Sequence, residues 1–358
     1  MRPMSSFQPL AYDPSGSVIA ILDGAELFCY RGEDEQPLWR RTAGAPLSAV
    51  ATRVGEVVTL DESGKLERFE ALGGSPLGTL ALEAAPRGLA VARDGAIAVL
   101  LDDEVALATG GQVARRLPAP GARAIALSAD GRSLALGGEA SVLVVELQEK
   151  SERSTAIEGT IEGAASAISW SARGFFVVAA GERLYRVTAS GEATALVKTG
   201  ARRASELSCS ADGGLIACKM APGEVHVVAL PAREVVARLE WDGPISGLAF
   251  GPDVWLAVGA GGGEANRIHL QSGEVRRTDP HPGRARAEWK LKTQIDQDKI
   301  REARSTANPS AEAVQRKLAA KAEARPVGPR ASRVLLYLIV VLAIVGSLVA
   351  WLWPGRAH

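Results

Sequence analysis

The chain is poor in the residues that most protein chemistry uses. It holds three cysteines and four histidines in 358 residues, and aromatic residues make up 5%. Cys29, Cys209 and Cys218 are odd in number and show no repeat spacing, and two of them sit in apolar runs. They do not form a disulfide framework or a paired-cysteine zinc site. His226 and His269 fall in third-strand positions of neighbouring repeats, His281 in a proline-rich hinge, and His358 at the terminus. No serine sits in a Gly-x-Ser-x-Gly elbow, and no HxxxH occurs. The run Gly259 to Glu264 is rich in glycine but lacks the Lys-Ser/Thr of a phosphate loop, and Asp102-Asp103-Glu104 lacks calcium-loop spacing. No catalytic residue, cofactor or metal is expected, so the chain does not read as an enzyme. An apolar leader is missing as well: Met1 to Asp13 contains no hydrophobic core segment, and no secretory signal is expected.

What is present is a repeat. Between residues 6 and 280 the same turn recurs as Asp13-Pro-Ser-Gly16, Arg53-Val-Gly55, Arg93-Asp-Gly95, Ala129-Asp-Gly131, Ala172-Arg-Gly174, Ala211-Asp-Gly213 and Gly251-Pro-Asp253. The last residues of successive turns are 36 to 43 positions apart. Seven units of about 40 residues is the period of propeller blades with four short strands each. In the fourth unit, Ala124 to Ser128, Ser133 to Leu136 and Ser141 to Leu147 read as strands parted by Asp-Gly and Gly-Gly turns. Hydrophobic alternation is imperfect, as expected where a blade packs against a neighbour on both faces.

The run Ser128-Ala-Asp-Gly-Arg-Ser-Leu-Ala135 and its weaker echoes resemble the WD40-like β-propellers over about three quarters of the chain. No unit carries the Gly-His pair or ends in Trp-Asp, so the hydrogen-bond network of that family is not expected here. The resemblance implies an all-β fold of about seven blades over residues 1–280, held by apolar packing and by glycine and aspartate turns.

Composition changes at Asp279-Pro-His-Pro-Gly283. Residues 281–333 read as a basic, partly helical linker, with helices expected at Arg284 to Arg304 and Ala311 to Ala324 by propensity. Residues 284–333 hold 13 Lys/Arg against 6 Asp/Glu, whereas residues 1–283 hold 27 against 35. The neutral total therefore hides an acidic propeller on a basic stalk. Basic residues without interleaved aromatics, beside an acidic domain, give no nucleic-acid partner.

Val334 to Trp353 is 20 residues without a charge, 13 of them Leu, Ile or Val. At about 1.5 Å per residue a helix of this length spans roughly 30 Å, the hydrocarbon thickness of a bilayer. The aliphatic residues favour insertion by roughly 4 to 8 kcal/mol in sum. Arg330 and Arg333 flank the segment upstream and Arg356 downstream, within the short tail 354–358. Counting basic residues on the two sides places the long N-terminal part in the cytoplasm. The expectation is a single-pass, tail-anchored protein of a bacterial inner membrane that contacts membrane lipid. Its propeller would serve as a non-catalytic scaffold for a protein partner, with no small-molecule substrate evident. Two other plans share this outline: the membrane-anchored propeller exchange factors of small GTPases, and ligand-sensing propellers with a site in the axial channel.

Overall fold

Strands that alternate apolar residues and end in glycine turns every five to eight residues can only meander. The computed structural model describes residues 8–307, except 14, 33, 140, 148–151, 159, 200–202, 221–222 and 282–290. Blade 1 holds β1 Leu10–Tyr12, β2 Val18–Asp23, β3 Glu26–Arg31 and β4 Trp39–Thr42. Blade 2 holds β5 Leu47–Arg53, β6 Glu56–Asp61, β7 Lys65–Glu70 and β8 Pro76–Ala81. Blade 3 holds β9 Gly88–Val91, β10 Ile97–Leu100, β11 Glu104–Thr109 and β12 Gln112–Pro118. Blade 4 holds β13 Ala124–Leu127, β14 Ser133–Gly137, β15 Ser141–Leu147 and β16 Glu152–Glu158. Blade 5 holds β17 Ala165–Ser171, β18 Phe175–Ala180, β19 Arg183–Thr188 and β20 Ala193–Lys198. Blade 6 holds β21 Glu206–Cys209, β22 Leu215–Lys219, β23 Glu224–Ala229 and β24 Glu234–Trp241. Blade 7 holds β25 Leu248–Phe250, β26 Trp255–Gly261, β27 Glu264–His269 and β28 Val275–Arg277. Every neighbouring pair within a blade is antiparallel, so the seven-bladed propeller read from the repeats is the fold.

The core is divided among the junctions between blades. In β18 every residue is buried. Phe176, Val178 and Ala180 face blade 4, while Phe175, Val177 and Ala179 face blade 6. Blade 1 divides the same way: Ala11, Val18, Ala20, Leu22, Leu27 and Cys29 face blade 2, and Leu10, Tyr12, Ile19, Ile21, Phe28 and Tyr30 face blade 7. The period-two alternation of a strand therefore persists, but both sets of side chains are apolar because both faces are covered.

Blades 1 and 7 close the ring without exchanging a strand, since each is complete from four consecutive strands. Blade 1 brings large side chains to the junction and blade 7 brings Ala249, Ala257 and Ala265. Across it, Arg267 of β27 is fully buried and its guanidinium donates to the carbonyls of Gly32 and Asp34, the latter at 3.0 Å. The Tyr30 hydroxyl donates to the Gly263 carbonyl at 3.3 Å, and the Asp279 N–H donates to the Glu35 carbonyl at 2.6 Å. Burial pushes the Tyr12 phenol up, and the neighbouring Arg267 guanidinium pulls it partly back. Gly263 lies on the Phe28 ring, where a Cβ would stand 2.8 Å from the ring edge.

One stretch of the expected linker is part of the propeller. A helix was expected over Arg284 to Arg304; instead β29, Leu291–Ile295, adds antiparallel to the outer edge of β24, pairing Leu291 with Trp241 and Ile295 with Ala237. The helix α1 begins only afterwards, at Gln297, and runs to Ala307. Helix propensities differ by tenths of a kcal/mol per residue. Five paired residues on an open edge, with Leu291 and Ile295 packed against the core between blades 6 and 7, outweigh that preference. The first compact unit of the chain runs from Met1 to Asn308. The second expected helix, Ala311 to Ala324, lies outside the described residues.

Replacing Arg267 by Met keeps the packing volume but removes both guanidinium hydrogen bonds across the junction. The purified full chain is expected to lose about 3 kcal/mol of unfolding free energy in urea, because hydrogen bonds to charged groups contribute about 1.5 to 3 kcal/mol each. An unchanged midpoint would show that the latch does not hold the ring.

Candidate functional site

The seven first strands, β1, β5, β9, β13, β17, β21 and β25, converge on the axis and line a channel of about 320 Å³. Its walls carry small or apolar residues, among them Ala51, Ala90, Ala126, Ile168, Leu207 and Ala249, together with Ser169, Trp170, Ser208 and Cys209 and the polar and charged Gln8, Asp13, Thr52, Arg53 and Arg93. Small residues recur here because seven strands have little room at the axis. Burial pushes the Cys209 thiol up to about 12, with Ser169 offsetting part of that by a hydrogen bond, so Cys209 stays a thiol at neutral pH. Cys29 is pushed up to about 12 and Cys218 further still, both by burial. All three are free thiols. They lack the thiolate character that nucleophiles and metal ligands need. Among the described residues no group of three or more His, Cys, Asp or Glu side chains is placed to hold a metal ion.

One face of the disc carries the turns that gave the repeat away, and their chemistry is structural. Ser128 Oγ donates to Asp130 Oδ1 at 2.6 Å and accepts the Ser133 N–H at 2.9 Å. Ser210 repeats this with Asp212 at 2.7 Å and Leu215 N–H at 2.9 Å. In blade 1 Asp13 takes the acceptor role, receiving the hydroxyls of Ser15 and Ser17. The hydrogen bond from Ser128 is the main reason the Asp130 carboxyl lies below its usual range. Serine and aspartate thus tie the first turns of blades 1, 4 and 6 to their own blades.

The helix α1 lies over this face. Asp296 caps it, its side chain accepting the Lys299 N–H at 3.1 Å. Ile300 and Ala303 point into the core between blades 6 and 7. Lys299 bridges to Glu234 of blade 6 at 2.7 Å. Arg304 reaches the first turns of two blades, at 2.7 Å from Asp253 and 3.7 Å from Asp212, and bonds Gln271 at 2.9 Å. The described chain therefore leaves the propeller from the face that carries the first turns.

The other groups picked out in the sequence take local roles. His226 lies in β23 with Nε2 2.5 Å from Glu224 Oε1, and His269 in β27 with Nδ1 2.8 Å from Ser272 Oγ. Each is held within its own blade. Asp253, His269 and Ser272 form a line, yet His269 Nδ1 also accepts the Ser272 N–H at 3.2 Å and Asp253 is engaged by Arg304. That is a turn cap, not a nucleophile with its base. His281 packs edge-on to Phe28. Gly259 to Glu264 forms the hairpin between β26 and β27, and Asp102 to Glu104 joins β10 to β11, with Asp102 2.6 Å from Arg87. Val334, Trp353, Arg330, Arg333 and Arg356 lie outside the described residues. Within those residues no helix is long and apolar enough to cross a membrane. Arg267, Arg304 and β29 escaped sequence reasoning, because their partners are brought to them only by the closed ring.

No protein family matches the chain by sequence, and no curated protein does so either. Among solved structures, it is similar to a chain of the crystal structure of the mitotic checkpoint complex. The TM-score is 0.60 at 13% identity, covering 71% of this chain and 87% of that one. At that identity the likeness is one of fold, and the fold is that of a WD40-like propeller.

Substituting Asp for Ile300 places a charge in the junction between blades 6 and 7. Hydrogen exchange is expected to show protection lost over residues 291–307 while the strands of blades 1 to 5 keep theirs. Protection retained over 291–307 would mean that Ile300 does not anchor the segment.

Proposed function

We propose that this protein is a membrane-tethered propeller that docks a protein partner at the cytoplasmic face of a membrane. One observation carries the tether: the uncharged run Val334 to Trp353, with Arg330 and Arg333 before it and a basic excess upstream. The disc supplies the rest. Its first turns in blades 1, 4 and 6 are held by structural hydrogen bonds, and a rigid disc with loops on two faces is a platform for recognition. The basic stalk favours an anionic leaflet by about 1 kcal/mol per residue near the surface.

Carbonate washing of cell membranes tests the tether. The full chain is expected in the pellet and a chain ending at Asn308 in the supernatant. Proximity labelling from the N-terminus should then mark a set of proteins that the shortened chain no longer marks. A full chain extracted by carbonate would contradict the reading.

A further inference from the structure

The outer strand of a blade is an open edge unless another strand covers it, as β29 covers β24, and proteins usually guard such edges with charge. Six of the seven outer strands follow that rule: β4 (WRRT), β12 (QVARRLP), β16 (ERSTAIE), β20 (ATALVK), β24 (EVVARLEW) and β28 (VRR) each carry charged residues. The outer strand β8 (PLGTLA) carries none, and Pro76, Leu77, Thr79 and Ala81 are exposed on it. Of the five exposed large hydrophobic residues among the described residues, Leu38, Val54, Leu72 and Leu77 belong to blades 1 and 2.

The chain itself shows what such an edge accepts. The strand β29 adds to β24 after a bulge at Val236, pairing with Ala237 through Trp241. Blade 2 has the same bulge at Leu77, so Gly78 through Leu82 occupy the equivalent positions, and nothing pairs with them on the outer side among the described residues. Leu80 and Leu82 stand where Leu239 and Trp241 stand in blade 6 and pack into the neighbouring core in the same way.

Charge selects the occupant. Beside the start of β8, the exposed Arg41 of blade 1 bonds the Gly74 carbonyl at 3.0 Å. It has no carboxylate partner among the described residues. The chain's own stalk beyond Pro309 is basic and would meet it with like charge.

We propose that the outer edge of β8 is a docking site for an extended segment of a partner protein, which adds as a fifth, antiparallel strand opposite Gly78–Leu82. The segment alternates apolar residues and carries Asp or Glu just after its last paired residue, where Arg41 lies. This names the surface and partner chemistry of the scaffold proposed above and rests on that reading.

A displayed library of random 12-residue peptides, selected against the full chain in detergent, tests it. The expected winners alternate apolar residues and end in carboxylates. They should bind Thr79→Lys at least tenfold more weakly and should lose their acidic preference on Arg41→Glu. Thr79 and Arg41 are exposed, and an unchanged melting temperature checks that each variant folds. No enrichment, or winners that bind Thr79→Lys as well as the parent, would overturn the proposal. So would a dimer in sedimentation that Thr79→Lys dissociates, because a second copy would then be the occupant. In cells, a labelled protein set that survives Thr79→Lys sinks this surface but leaves the scaffold standing, whereas no labelled set with the parent chain sinks the scaffold itself.

Discussion

Face-to-face packing of the blades is the constraint on which the structure depends. Each blade is a small antiparallel sheet whose inner strands are buried on both faces, so those strands must supply two apolar sets in alternation. The strand β18 does so with Phe and Val on both sides. Removing a side chain such as Phe176 costs about 3 to 5 kcal/mol by cavity formation. It does so at a junction, so two blades are loosened at once. A ring has no spare junction: the last, between blades 7 and 1, must form between residues about 235 positions apart in the chain. Closing a flexible loop of that length costs about 5 kcal/mol of entropy. Arg267 and the apolar face of blade 1 offset that cost with contacts that need no exchanged strand.

The same packing decides where function is left to reside. The channel is narrow because seven first strands fill it, and burial keeps its thiol protonated. In blades 1, 4 and 6 serine and aspartate at the first turns are spent on tying the turn to its blade. What remains are the two faces and the rim, and the chain covers part of both with its own C-terminal segment. The strand β29 closes the edge of blade 6, and α1, pinned by Ile300 and Arg304, caps the turns of blades 6 and 7. The rim of blade 2 keeps an uncovered, uncharged edge.

How legible this was in the sequence depended on how local the signal was. The turn glycines at 16, 55, 95, 131, 174 and 213 all have positive φ, where other residues are strained, and so they recur at fixed spacing. They revealed both the period and the blade count. The strands of blade 4 fell within a residue of their expected ends. Leu291 to Ile295 was misread as helix because its two apolar residues, four apart, fit a helix turn as well as they fit a strand; the edge of β24 settled it. Arg267 carried no sequence signal, since its acceptors are backbone carbonyls in another blade.

The closed disc is proposed to be tethered to a membrane by the run Val334 to Trp353, with the propeller on the cytoplasmic side. Trypsin digestion of intact cells stripped of their outer layers, set against inside-out membrane vesicles, reads that side directly. The propeller should resist digestion in the first and be cut away in the second, leaving a short fragment that contains Val334 to Trp353. Digestion of the propeller from outside intact cells would contradict it.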